Sequence, residues 1–231
     1  MIVRAAIVPS PPLLARGLTG RAEVLPELRA ACAAAVTRLL SASADVVAVV
    51  GSGTATATFA SGERLNVAAY AGGPGEHRPP RKTPLPLAVG IGAELLDEAG
   101  YAGPRALESV DAAATAQECA RVGARVAGLA PRVALLVVGD GSARRTPAAP
   151  GYFDERAEAF DASAEAAIRD GDMAALAGLD AGLAAELMAT GRAAWQVLAG
   201  AAGLERRAPG QVMYSDAPFG VSYLVAVLDV R

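Results

Sequence analysis

The sequence predicts an α/β fold: a single domain, residues 1–231, with a central mixed, largely parallel β-sheet flanked by helices. Three observations predict it. Val133 to Val138 reads VALLVV, an uninterrupted apolar run of the kind a central parallel strand shows when both faces are covered. Similar runs, Ile2 to Val8 and Asp45 to Val50, alternate with segments whose apolar residues recur at helical spacing. Each run ends in a turn rich in Gly, Ser, Pro or Asp, as strands feeding βα connections do.

In chain order, Ile2 to Val8 is the first predicted strand, stopped by Pro9-Ser10-Pro11-Pro12, which cannot continue a ladder. From about Glu23 to Leu40, Val24, Leu28, Cys32, Ala35 and Leu39 mark one helix face. Asp45 to Val50 is a second buried strand, with Gly51-Ser52-Gly53-Thr54 as its turn, and Arg64 to Tyr70 reads as another strand. Ala71 to Pro86, rich in Gly and Pro and holding His77, reads as the least structured stretch. Leu87, Ile91 and Leu95 give a short helix that Gly100 can cap. Thr115 and Glu118 form a capping box for a helix using Cys119, Val122, Val126 and Leu129.

After Val133 to Val138 comes the turn Gly139-Asp140-Gly141-Ser142. The chain is then helical: Phe153 to Arg169, a short turn from Asp172, and one long helix from Leu183 through Leu187, Ala194 and Leu198. Two strands close it, about Arg206 to Tyr214 and Val221 to Val230, joined by Ser215 to Gly220. No internal repeat or linker divides the chain, which supports one domain.

Composition narrows the function classes. Hydrophobic residues are 53% and charged residues 19%, so a packed core is expected rather than disorder. Net charge is -3, and no basic run exceeds Arg78 to Lys82, so no nucleic-acid or anionic-membrane footprint is present. No span of 18 apolar residues and no signal-like start occur, and a cytoplasmic location is expected. Cys32 and Cys119 fall on apolar helix stripes and read as free, buried thiols. Trp195 and Tyr223 read as core residues.

Candidate chemistry sits in the turns. If their strands are parallel neighbours, Ser10, the Ser52-Gly53-Thr54 stretch, and Asp140 with Ser142 face one crevice, since open α/β sheets bind ligands beyond the carboxyl ends of strands. Gly51-Ser52-Gly53-Thr54 could cradle an anion, but it lacks the lysine and spacing of a phosphate loop. A serine nucleophile needs a base, and His77 is the one imidazole in the chain. There is no G-x-S-x-G elbow. Asp140 and Asp216 could hold magnesium or calcium weakly; the plainer expectation is that both accept backbone N–H bonds in turns.

Four stretches together resemble the class III extradiol ring-cleavage dioxygenase superfamily, in the branch of the catalytic subunit that is related to Memo-like proteins. AAIVPSPPLL looks like the family's first strand, which ends in a histidine followed by prolines. VVAVVGSGT is similar to its second strand and histidine-containing loop. VVGDGSARR with Phe160-Asp161 looks like its Gly-Asp-x-Ser-His turn and downstream Phe-Asp. YSDAPFGVSYLVA is similar to its acidic-x-Pro-Phe-Gly-Val segment.

The resemblance implies the fold of the extradiol dioxygenase catalytic subunit and a non-haem Fe(II) site of two histidines and a carboxylate, with a third histidine as acid/base. This chain departs from that set. The first ligand position is Ser10, the second falls at Gly53 or Thr54, and the acid/base position is Ala143. Asp216 alone remains as a weak metal candidate. Imidazole suits iron and a serine hydroxyl does not, while alanine has no proton to transfer. The expectation is a cofactor-free protein in which iron binding is lost. Its pocket candidates are Ser10, Ser52, Gly53, Thr54, Asp140, Ser142 and Asp216, and it binds a small molecule or a partner protein. An oxygenase or other metal-assisted enzyme with an unorthodox site, and a structural or interaction protein, are the alternatives. The family also implies a homo-oligomer.

Overall fold

The computed structural model describes residues 1–19, 24–66 and 85–230. Its strands among these are β1 (Ile2–Val8), β2 (Val46–Gly53), β3 (Ala57–Phe59), β4 (Arg105–Asp111), β5 (Val133–Val138), β6 (Gly210–Asp216) and β7 (Tyr223–Asp229). They form one sheet in the order β3-β4-β2-β5-β1-β7-β6. The four central strands β4, β2, β5 and β1 run parallel, while β3 and β7 run antiparallel to their inner neighbours. Because β6 is antiparallel to β7, it points the same way as β1. The carboxyl ends of β1, β2, β4, β5 and β6 therefore share one rim of a mixed, largely parallel sheet.

Uniformly apolar strands form because both faces are covered. Val133, Leu135 and Val137 pack into one core layer, and Ala134, Leu136 and Val138 into the other. The helices are α1 (Arg16–Thr19), α2 (Pro26–Leu40), α3 (Leu87–Glu98), α4 (Ala116–Ala127), α5 (Ala157–Asp170), α6 (Met173–Ala177), α7 (Ala181–Glu186) and α8 (Arg192–Ala202). Helices α2 and α3 cover one face; α4, α5, α6 and α8 cover the other. Gly123 and Gly200 let α4 and α8 touch, since a Cβ on either would collide with the other helix's backbone. No helix among the described residues is long and apolar enough to cross a membrane.

Many expectations hold. β1 and β5 have the expected bounds, Thr115 and Glu118 make a reciprocal capping box, and Gly100 sits at φ +71° after α3. Cys32 and Cys119 are free and buried, and Trp195 and Tyr223 are buried in the core.

Others are corrected. Helix α2 begins at Pro26, with Val24 outside it. Gly51 to Gly53 belong to β2 rather than to a turn, because β5 still pairs with Gly51 and β4 pairs with all three. Nothing in the apolar pattern predicts β3 or β4; Glu108 and Ser109 interrupt that pattern in β4, although both are buried. Arg64 to Asn66 are not strand, and the rest of that expected element lies outside the described residues, as does His77. Leu129 lies beyond the end of α4 and is exposed. Helix α5 starts at Ala157, leaving Phe153 exposed. The last two strands differ from their expected bounds: β6 runs later, Gly210–Asp216, and takes Ser215 and Asp216 from the expected joining segment, while β7 is shorter at both ends, Tyr223–Asp229.

The long helix expected from Leu183 is two, α7 and α8. The break falls at Leu187 to Gly191, where Met188 adopts φ +57° and the Gly191 N–H donates to the Asp140 carbonyl instead of continuing a helix.

Candidate functional site

The parallel order β2-β5-β1 brings three of the predicted turns together, because each lies at the carboxyl end of adjacent strands. The link is direct. The Ser10 N–H donates to Asp140 Oδ1 at 2.6 Å and its hydroxyl to Oδ2 at 3.2 Å, so one serine grips both oxygens of one carboxylate. On the other side of β5, the Ser52 hydroxyl donates to the Thr190 carbonyl at 2.5 Å. Thr190 returns the link, its hydroxyl accepting from the Asp140 N–H at 3.3 Å.

Two glycines make this possible. A Cβ on Gly139 would collide with the Gly191 Cα, so the β5 turn and the break between α7 and α8 meet backbone to backbone. Sequence reading misses Thr190 and Gly191 because they lie inside a run of helical apolar spacing. A Thr-Gly pair followed by a fresh helix start is the available signal.

Asp140 is the electrostatic centre of this rim. Burial pushes its carboxyl up to about 6, against the two Ser10 bonds that favour the charged form. None of the causes that set its pKa is a cation. Neighbours feel its charge. Cys32, fully buried on α2, is held up to about 12 first by burial, with Arg29 opposing and Asp140 adding. The Tyr223 hydroxyl is also raised, by burial and then by Asp140 and Tyr214. Tyr214 is raised in turn by burial, Asp216, Glu27 and Cys32.

The remaining candidates divide. Ser142 is fully buried; its N–H donates to Asp161 Oδ1 at 2.8 Å and its hydroxyl to Oδ2 at 2.6 Å. With both groups committed, it ties the β5 turn to α5 and does not line a pocket. Ala143 is buried, its N–H donating to the Leu187 carbonyl. Gly53 ends β2, its carbonyl accepting the Ala112 N–H, and Thr54 is exposed beyond it. Asp216 ends β6 on the same rim, exposed, with Oδ1 accepting the Ala217 N–H at 2.7 Å. Asp140 and Asp216 thus both accept backbone N–H bonds in turns, as the plainer expectation has it.

A metal would have to be held by these groups, and they do not suit iron. Ser10 spends its hydroxyl on Asp140, and Asp216 stands without an imidazole partner among the described residues. No group of three His, Cys, Asp or Glu among those residues is placed to hold an ion. A concavity lies further along the rim: an open cleft of about 560 Å³ between Ala55-Thr56, the end of β4 and the Glu118-to-Arg125 face of α4. No sequence signal points to it, since β4 itself is not legible.

No family model matches the chain, and no curated protein does. Among solved structures it is similar to an uncharacterised protein from Escherichia coli K12, with a TM-score of 0.55 and 14% identity over 97% of this chain and 99% of that one. At this identity the likeness establishes a shared α/β fold and nothing finer.

Proposed function

We propose that this chain is a degenerate relative of the catalytic subunit of class III extradiol dioxygenases, which keeps the crevice at the ends of β1, β5 and β2 and binds a small molecule there without iron. The observation that carries the reading is the Ser10–Asp140 pair. At the position matched to the family's first ligand histidine stands a serine, and both of its donors are committed to a neighbouring carboxylate. Ring cleavage needs iron held firmly with positions open for substrate and dioxygen, and the oxygen groups at this rim cannot supply imidazole's affinity. What they offer a ligand is a carboxylate, Asp140, that burial holds above its ordinary pKa.

Metal analysis tests the first half. After anaerobic equilibration with Fe(II), Mn(II) and Zn(II) and thorough desalting, the protein is expected to retain far less than one metal per chain. Near-stoichiometric iron or manganese that disappears in Asp216→Ala overturns the reading and calls for catechol cleavage assays. Thermal-shift screening with small polar and aromatic compounds tests the second half. A ligand at 100 times its Kd adds about 2.7 kcal/mol, roughly 5–10 °C in Tm for a chain of this size. That shift is expected to vanish in Asp140→Asn.

A further inference from the structure

The cleft at the ends of β2 and β4 is independent of the Asp140 crevice and is built differently. Its floor is apolar, from Val122 and the Ala113-Ala114 loop. That loop is fixed from below by Arg192, 2% exposed, whose guanidinium donates to the carbonyls of Ala112 and Ala114. The cleft is therefore preformed, and its volume lies within the range of small-molecule sites.

Four charged side chains line it: Asp111, Glu118, Arg121 and Arg125. Two are already committed. Glu118 closes the capping box, accepting from the Thr115 N–H and hydroxyl, both at 2.8 Å. Arg125 reaches the buried Glu108 at 2.5 Å, and Glu108 also accepts from the Thr58 hydroxyl. Two remain. Arg121, one turn before Arg125 on the same face of α4, is exposed; its charge acts on Glu118, but its guanidinium makes no hydrogen bond or close ion pair among the described residues. Asp111 uses Oδ1 to accept the Ala113 N–H at 2.8 Å, which leaves Oδ2 available. The Thr56 hydroxyl accepts the Asp111 N–H at 3.0 Å and keeps its own proton to donate.

The cleft thus presents one uncommitted guanidinium, one uncommitted carboxylate oxygen, one hydroxyl proton and an apolar floor. We infer that it is a binding site for a free α-amino acid with an aliphatic side chain. Arg121 and Thr56 would take the carboxylate, Asp111 the ammonium group, and Val122 with the alanines the side chain. A guanidinium matches a carboxylate in geometry as well as in charge.

The test is backbone amide NMR of the full chain with three probes: L-leucine, 4-methylpentanoate, which lacks the amine, and 3-methylbutylamine, which lacks the carboxylate. L-leucine is expected to shift Ala113, Ala114 and Val122 saturably, and each single-charge analogue to bind about tenfold more weakly or worse, one charge-assisted bond having been lost. Arg121→Gln, on an exposed helix face where folding is insensitive, should weaken L-leucine by about tenfold or more. Asp111→Asn should weaken L-leucine while leaving 4-methylpentanoate unchanged. Asp140→Asn should leave all three unchanged, which separates this site from the crevice. Absence of saturable shifts with L-leucine, or equal binding by Arg121→Gln, overturns the inference.

Discussion

Among the described residues the same hydrogen-bonded motif occurs twice, a serine whose N–H and hydroxyl grip the two oxygens of one aspartate, and the two copies differ in what surrounds them. Ser142 and Asp161 are both buried, and Asp161 also receives Arg145 Nη1 at 3.3 Å. That copy is closed: its charge has a counter-charge, and it staples the β5 turn to α5. Ser10 and Asp140 sit at the rim of the sheet, and burial raises the Asp140 carboxyl with no cation among the causes acting on it. A partly buried carboxylate without a cationic partner costs stability, and such groups are enriched where a ligand or a reaction uses them. The difference teaches that serine–aspartate geometry alone does not separate a staple from a site; the counter-charge does.

The largest effect should come from breaking the staple. Asp161→Ala removes the acceptor of two buried Ser142 donors and of Arg145 together. Each buried Ser142 donor left unpaired costs about 1–3 kcal/mol, while Arg145 is one-quarter exposed and keeps Glu158 at 3.4 Å, so the expectation is about 3 kcal/mol. Urea unfolding measures it. A loss below about 1 kcal/mol would mean that the β5 turn is held by its backbone contacts alone.

Asp140→Asn should act in the opposite direction, and only above acid pH. The folded-state pKa of Asp140, about 6, lies above the ordinary 3.8, so folding takes up a proton. Its protonated form favours the native state below about pH 4, and that contribution is lost as pH rises through 6. An asparagine can accept the Ser10 N–H without carrying charge. The variant should therefore match the native protein near pH 4 and become more stable across pH 4 to 6. The gap should then level off at about 3 kcal/mol by pH 8, two pKa units at 1.36 kcal/mol each. Unfolding curves at four or five pH values would show it. A variant less stable than the native chain at pH 8 would mean that Asp140 has a counter-charge after all, and the contrast with Asp161 would fall.

How much of this is legible in the sequence follows from where the determining contacts lie. β1 and β5 can be read because both of their faces are apolar, which is a local property. β4 cannot, because Glu108 and Ser109 look like surface residues until Thr58, Arg125 and the Ala55 carbonyl satisfy them from elsewhere in the chain. The gap between α7 and α8 is hidden for the same reason: apolar spacing continues through it, and Asp140 and Ser52 interrupt the helix from far away in sequence. Convergence of the turns follows from parallel neighbours. That Ser10 grips Asp140 while Ser142 grips Asp161 does not, since the first bond spans 130 positions.

The smallest effects come from the serines, and they sharpen the contrast most. Each loses one hydroxyl bond on mutation to alanine and keeps its backbone N–H bond. Ser142→Ala should cost about 1–2 kcal/mol near neutral pH, because the buried Asp161 loses a donor while it stays paired with Arg145. Ser10→Ala should cost under about 1 kcal/mol at pH 8, the bond being 3.2 Å long, and should vary with pH. The lost hydroxyl stabilised the charged carboxylate, so its removal pushes the Asp140 titration above 6, and the penalty should fade towards pH 4 where the carboxyl is neutral. Carboxyl carbon NMR of Asp140 reads the titration directly. A serine at the rim whose loss moves the Asp140 titration, beside a serine in the core whose loss is read as a larger drop in stability, is the behaviour expected if Asp140 is held for a ligand and Asp161 for the fold.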